Sequence, residues 1–321
     1  MKKVSPDKFI SRLYRESSRV SLEDFPVWAL SFLRQVINFD GAIWGTGHVS
    51  TKAFHTQTAI DISSDIFDQL KANLAINPIF ETLFSTQGGA VDMRDVLPDE
   101  EFYDSALYHN CFKPFGIERI LSSLHIDERS GIFTLLTLYR YNREEGFTAD
   151  EKNIQNRLLY HLLSAASHRQ LLALNEQEKD LSDHCCAICD CEGIYHSVDS
   201  SFLDTLESHL QTPTQQKFPF PIATQDNRFT EGELQFNQTR MGDLYRISLR
   251  IKNQLDELTT REKQIVAGVC KGGTFKQIAR DLELSPSTVS NHLYRIYMKL
   301  GIHTRSELIL IANNCEFSQY D

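Results

Sequence analysis

Apolar positions recur along this chain with two different spacings. Over residues 22–37 they fall at helical intervals, and after a turn residues 39–48 (FDGAIWGTGH) read as a strand. Residues 64–75 are helical again. Asn77-Pro78 breaks that helix, because the residue before a proline is pushed out of the α region. Residues 116–127 and 131–141 are predicted to pair as a β-hairpin about a turn at 127–130. Phe147-Thr148-Ala149-Asp150 then opens a long helix, with Thr148 as N-cap and Glu151 three residues on. Ile154, Leu158, Leu162, Ala165, Ala166 and Leu172 lie on or near one stripe of it. The stripe either covers its own sheet or forms a dimer seam, and a long helix between sensor and output favours the seam.

The order helix, strand, helix, hairpin, closing helix, with the Phe-Thr-Ala-Asp-Glu start of the last helix, resembles a GAF-type sensor domain over residues 21–175. Residues 1–20 are left as an N-terminal extension. Further on, HCCAICDCEGIYHSV alternates around the turn Cys191-Glu192-Gly193, and SSFLDTLESHL is helical. A stretch with Pro213, Pro219 and Pro221 follows. Residues 232–236 and 243–251 then flank a turn at Met241-Gly242-Asp243. Strand, turn, strand, short helix and late hairpin resemble a small PAS-type module over residues 181–252.

Residues 255–321 carry the sharpest signals. Thr259 with Glu262, Thr274 with Gln277 and Thr304 with Glu307 are capping boxes. Ser285-Pro286 places an N-cap serine before proline at the first helical position. Gly272-Gly273 and Gly301 are helix stops. Four short helices are expected, the second and third separated by Glu283-Leu284, which is helix-turn-helix spacing. On the third, Val289, Leu293, Ile296 and Leu300 form an apolar stripe. Its opposite face carries Ser287, Asn291, Tyr294 and Met298, flanked by Ser290 and Arg295. An anchored helix with Asn and small polar groups outward suits the major groove, where Asn reads adenine through two hydrogen bonds. Lys276, Arg295, Lys299 and Arg305 are expected to neutralise phosphates. Amides near Ser287 and Thr288 are placed to meet another.

At this point the segment closely resembles a LuxR-type helix-turn-helix. Leu258, Thr259, Arg261, Glu262, Gly272, Ile278, Ala279, Leu282, Ser285, Thr288, Val289, His292, Ile296, Lys299, Leu300, Arg305 and Leu308 carry the resemblance. It implies an all-α four-helix domain, double-stranded DNA as partner, a homodimer and a bacterial transcription regulator that can contact RNA polymerase. Ser290 is a departure, since many members have Lys or Arg there. The chain as a whole is thus expected to be multidomain: an α+β GAF/PAS-like sensor region followed by the helical output domain. No phospho-receiver layout is visible. Asn77-Pro78, with only Trp28 and Trp44 in the chain, departs from the acyl-homoserine-lactone-binding pattern.

Charge changes the picture in one respect. The net charge of −10 argues against nucleic acid, yet residues 255–321 are neutral and the window 271–305 is locally +4. No run of apolar residues reaches bilayer length, and MKKVSPDKFISRLYRE lacks the apolar core of a secretory signal, so a cytoplasmic protein is expected. Trp44, His48, His55, Tyr103, Tyr108 and His109 are candidates to line a small-molecule cavity. Cys185, Cys186, Cys189 and Cys191, with His184 and His196, invite a metal or redox site, but their spacing is not a paired CxxC. On a regular strand Cys186 would face away from Cys185 and Cys189, so buried structural cysteines are the simpler expectation. No P-loop, GxSxG or HExxH occurs, and no catalytic residue, metal or cofactor is assigned. Two alternatives stand beside the DNA reading: regulation by protein contact through the C-terminal domain, and an enzyme within residues 21–250.

Overall fold

The computed structural model describes residues 4–21, 23–86, 89–177, 185–210, 216–241 and 243–314. Leu22, His184, Pro213, Gly242 and the side chain of Leu172, which figure in the sequence reading, fall outside what is described.

The first sheet is framed by α1 (Pro6–Glu16) and α2 (Phe25–Leu33). Strands β1 (Gly41–His48) and β2 (Phe54–Ile60) precede α3 (Ile66–Ala72) and α4 (Pro78–Thr86). Then come β3 (Val91–Asp92), α5 (Met93–Val96), α6 (Asp99–Asp104), β4 (Arg119–Ile126), β5 (Ile132–Arg140) and α7 (Ala149–Gln177). The sheet order is β2-β1-β5-β4-β3, and every pairing is antiparallel. β4 and β5 form the expected hairpin, Arg119 opposite Arg140 and Ile126 opposite Phe133.

Strand alternation sends neighbours to opposite faces. Leu136 and Leu138 join Trp44, Phe9, Leu13, Phe25 and the α7 residues Leu158 and Leu162 in one core. Leu135 and Tyr139 join Phe67, Leu70, Leu83 and Phe112 in the other. The α7 stripe therefore covers its own sheet. Leu158, Leu162 and Ala165 are fully buried within the chain, which corrects the dimer-seam expectation: the apolar face is already used. The α7 capping box forms as expected, Glu151 N–H donating to Thr148 Oγ1 at 3.2 Å and Thr148 N–H to Glu151 Oε2 at 3.0 Å.

Other boundaries differ for local reasons. The helical spacing over 22–37 yields only Phe25–Leu33 as α-helix. Pro78 does not merely stop a helix. It begins α4, with Asn77 Oδ1 accepting from Ile79 N–H at 3.3 Å, the position where proline's missing donor does no harm. Residues 6–16, read as part of an extension, form α1 because Phe9 and Leu13 sit one turn apart and bury completely.

The second sheet is built from β6 (Cys185–Cys189), β7 (Tyr195–Val198), α8 (Ser200–Leu210), β8 (Asn227–Glu231), β9 (Leu234–Met241) and β10 (Leu244–Ile251). Its order, β7-β6-β10-β9-β8, repeats the succession of the first sheet. The register between β6 and β7 shifts between Ile188 and Cys189. The extra residue there is His196, on β7. Cys186 and Cys189 on β6 are both buried, at 5% and 0% exposure. Among the described residues no group of His, Cys, Asp and Glu is arranged to hold a metal ion. No helix among them is long and apolar enough to cross a membrane.

The chain separates into two compact units. One comprises residues 1–177, 186–227 and 238–247; the other comprises 178–185, 228–237 and 248–321. The second unit contains α9 (Thr260–Cys270), α10 (Phe275–Asp281), α11 (Pro286–Leu300) and α12 (Arg305–Asn314). The step from the last strand into these helices is tied down. Arg250 donates to both oxygens of Asp256 at 2.7 and 2.5 Å, and Asp256 closes a capping box on Asn253. Leu255 beyond them is buried in the helical core.

Candidate nucleic-acid interface

Each C-terminal helix starts where its capping residue dictates. Glu262 N–H donates to Thr259 Oγ1 at 3.3 Å, Gln277 N–H to Thr274 Oγ1 at 3.3 Å and Glu307 N–H to Thr304 Oγ1 at 3.2 Å. Ser285 Oγ accepts from Thr288 N–H at 3.0 Å, with Pro286 at the first helical position. Gly301, at φ 65°, ends α11 in the left-handed conformation glycine adopts without strain. The turn between α10 and α11 uses Glu283 at φ 54°, and Leu284 N–H reaches back to Ala279 O at 2.7 Å.

The stripe of α11 is core: Val289, Leu293 and Ile296 are at most 3% exposed and pack on Ile265, Val269 and Ile278. The far face is open. Ser287, Ser290, Asn291 and Arg295 are exposed, and Tyr294 and Met298 each reach 67%. Ser287 Oγ lies 2.7 Å from Ser285 Oγ, and Thr288 Oγ1 2.8 Å from the same atom, so these hydroxyls cluster at the helix start. Lys276 on α10 is exposed as well.

Two of the cations are held inward. Lys299 Nζ lies 2.7 Å from Glu262 Oε2, joining the end of α11 to the start of α9. Arg305 donates to the carbonyls of Val269 at 3.1 Å and Gly273 at 2.9 Å. Arg261 likewise donates to the Leu282 carbonyl. The close crossing of α9 and α10 depends on Gly268, where a Cβ would meet Ile278 Cγ1 at 2.9 Å. Gly268→Ala gains about 1 kcal/mol of helix propensity but overpacks by about 1–3 kcal/mol. A net loss of about 1 kcal/mol is expected, read as a lower denaturant midpoint for the C-terminal transition. A rise in that midpoint would show that α9 and α10 are not held at this distance.

The six residues expected to line a cavity do not converge on one site. Trp44 is 5% exposed in the core facing α1, α2 and α7, edge-on to Phe25 at 6.2 Å. Tyr103 and Tyr108 belong to the opposite face and contact each other at 4.9 Å between ring centroids. Tyr103 donates to Glu118 O and Tyr108 to Glu118 Oε1, each at 2.9 Å. Burial, with the Glu118 carboxylate beside it, pushes the Tyr108 phenol up to about 12. His109 is within 3.4 Å of Lys113 Nζ. His48, at the end of β1, is 2% exposed, and His55 stacks on His196.

A groove of about 610 Å³ opens elsewhere on the first domain, lined by Lys52, the stretch from Leu74 to Pro78, Phe80, Glu81 and Phe84. Asn77 is 3% exposed, and its Nδ2 has no hydrogen-bond partner among the described residues. It lines both this groove and a small interior space against Ser122, Thr137 and Tyr139. In the sequence Asn77 marks a helix break and, with Pro78, a departure from the acyl-homoserine-lactone-binding pattern; a polar residue just before a helix-starting proline was the available signal for a groove wall.

A short helix, a tight turn and a second helix with an exposed polar face define a helix-turn-helix domain of the kind that enters DNA grooves. Residues 256–312 match the family described as "Bacterial regulatory proteins, luxR family", so the C-terminal domain is a luxR-type helix-turn-helix. The chain is 35% identical over 66 residues to the glycerol metabolism activator of Pseudomonas putida, 21% of this chain and 30% of that protein. It is 37% identical over 83 residues to the uncharacterized response regulatory protein YgeK of Escherichia coli, 26% and 55% of the two chains. To the response regulator UvrY of the same organism it is 42% identical over 55 residues, 17% and 25%. The chain thus spans about half or less of the length of these relatives. Among solved structures it is similar to SdiA in complex with octanoyl-rac-glycerol, with TM-score 0.39 and 14% identity over 100% of both chains. It is also similar to the N-acylhomoserine lactone dependent LuxR family factor CepR2 of Burkholderia cenocepacia. There the TM-score is 0.37 and the identity 18%, over 53% of this chain and 97% of that one.

Proposed function

We propose that the chain is a sequence-specific DNA-binding transcription regulator, with α11 as its recognition helix and its signal sensed by the N-terminal sheets. The face of α11 carries this proposal. Its apolar side is spent in the core, and Ser287, Ser290, Asn291 and Tyr294 stand outward at its N-terminal half. Asn291 pairs with an adenine edge, and Tyr294 and Met298 meet thymine methyl groups. Lys276 and Arg295 neutralise phosphates, with the amides at Ser287 and Thr288 assisting. Lys299 and Arg305 act through the fold, holding α11 and α12 in place by the inward bonds described above. Ser290 adds no charge, so fewer phosphates are neutralised than a lysine there would give.

The protein acts as a homodimer on two half-sites about one DNA turn apart, with RNA polymerase as the partner of the bound form. The strand succession shared by both sheets supports a GAF-like first domain followed by a PAS-like module. The groove beside Asn77 is the place for a small molecule with an apolar body and an acceptor oxygen.

Lys276→Ala tests the electrostatic half. Affinity is expected to fall a few-fold for every sequence alike, and the slope of log affinity against log salt to flatten by about one. Fluorescence anisotropy with a specific and a random duplex across a salt series reads both. A loss confined to one sequence would assign Lys276 to base contact instead, and an unchanged slope would remove it from the interface.

A further inference from the structure

Three histidines, two from the adjacent strands β1 and β2 and one from β7, converge where the first sheet meets the β6–β7 hairpin, within one compact unit. His48 Nε2 lies 3.0 Å from the Ser130 carbonyl and 2.9 Å from that of Gln216, so this nitrogen carries the proton and donates to both. Its Nδ1 accepts from Ser50 N–H at 3.2 Å. Gly131 lets the segments approach this closely, since a Cβ there would fall 2.5 Å from His48 Nε2. Beside it, His55 of β2 stacks face to face on His196 of β7, with ring centroids 3.5 Å apart and planes 9° from parallel. His55 Nδ1 is buried and has no hydrogen-bond partner among the described residues.

We propose that this junction is an acid-sensitive clasp, in which protonation of the stacked His55–His196 pair releases the β6–β7 hairpin from the first sheet. Two neutral imidazoles stack favourably; two imidazolium rings at that distance repel, and burial removes the water that would screen them. Among the described residues, the titratable groups bearing on the pair are His48 from β1 and Asp190 from the β6–β7 turn. Asp190 Oδ2, 3.9 Å from His196 Nε2, favours the charged ring, but burial outweighs it. A second tie stands beside the clasp. Arg129 of the β4–β5 turn pairs with Asp204 at 2.9 Å and Glu207 at 3.0 Å on α8, while Gln216 Nε2 donates to the Glu128 carbonyl at 3.0 Å. Released at the histidines, the hairpin stays tethered there, so acid loosens the junction without parting the modules.

Burial, with His196 and His48 adding to it, brings His55 down to about 4 from 6.5, and burial also lowers His196. The closed junction is therefore favoured above pH 6.5 and progressively lost as pH falls toward 4. For His55 alone the closing equilibrium weakens by up to about 30-fold between pH 8 and pH 5.

Hydrogen exchange on the full chain tests this, comparing wild type with the His55→Phe/His196→Phe variant, which keeps stacked rings but cannot be charged. After correction for intrinsic rates, wild-type amides of β7 are expected to lose ten- to thirtyfold protection from pH 8 to pH 5. Those of the β1–β5 pairing hold, and the variant keeps β7 protected at both values. Equal loss in wild type and variant, or no loss in wild type, overturns the clasp. Should the variant not fold, ring resonances of the wild type decide. A histidine midpoint near 4 that moves together with β7 protection supports the clasp, and midpoints of 6 or above for every histidine overturn it.

Discussion

Glu262→Ala is expected to lower the stability of the C-terminal domain by about 2 kcal/mol, roughly half from the lost capping box and half from the lost charged bond to Lys299, discounted for the lysine's exposure. Glu262 is 4% exposed and serves three groups at once: Thr259 N–H at 2.9 Å, Thr259 Oγ1 at 3.0 Å and Lys299 Nζ at 2.7 Å. Burial alone would raise its carboxyl. The ion pair with Lys299 and the Thr259 bonds outweigh burial and hold it below its ordinary value of 4.5. The ionised form is therefore the one the fold prefers. Its contribution is complete above pH 4.5 and disappears as pH falls through the lowered value of the folded state. Glu262→Gln separates the two halves. A glutamine still closes the capping box but cannot pair with Lys299, so about 1 kcal/mol is lost and the acid limb of the stability curve flattens. Urea unfolding of the C-terminal transition at pH 7 and pH 4 reads all of this. Equal stability of wild type and Glu262→Ala would mean that α9 is not anchored through this residue.

Asn291→Ala is expected to reduce discrimination at one base pair of the operator half-site by 1–3 kcal/mol, about 5- to 150-fold, while leaving affinity for random DNA nearly unchanged. The asymmetry follows from position. Asn291 stands exposed on the outer face of α11, with no side-chain hydrogen bond among the described residues, so its removal is expected to leave the fold intact. Under the proposed function, non-specific affinity comes from phosphate neutralisation by Lys276 and Arg295, which the substitution does not touch. Competition with duplexes carrying each base at each half-site position measures it. Unchanged affinity and unchanged preference together would show that a different face of α11 enters the groove.

The C-terminal domain was legible in the sequence because its signals are local. A capping threonine or serine and its partner lie three residues apart, and the Val289–Leu293–Ile296 stripe needs only helical spacing to be seen. What was not legible depends on residues far apart in the chain. The partners that Lys299 and Arg305 have within the domain, Glu262 37 residues away and the carbonyls of Val269 and Gly273, cannot be seen on a helix drawn alone. The α7 stripe looked free for a partner because the sheet that buries it includes β1, more than a hundred residues earlier. The extra residue His196 in β7 shifts a register that sequence alternation cannot report. Helices α5 and α6, four and six residues long, are too short to show a period. The His55–His196 stack joins residues 141 positions apart, and nothing local to either marks it.

The central claim is that this chain recognises a DNA sequence through α11. Selection of genomic fragments by the purified full chain, at two salt concentrations and beside Asn291→Ala, tests it most directly. The expected result is an enriched, roughly palindromic motif whose recovery falls with salt and whose sharpness at one position is lost in the variant. No enriched motif at either salt, for the full chain and for residues 251–321 alone, would contradict the account and leave the C-terminal domain as a surface for protein contact.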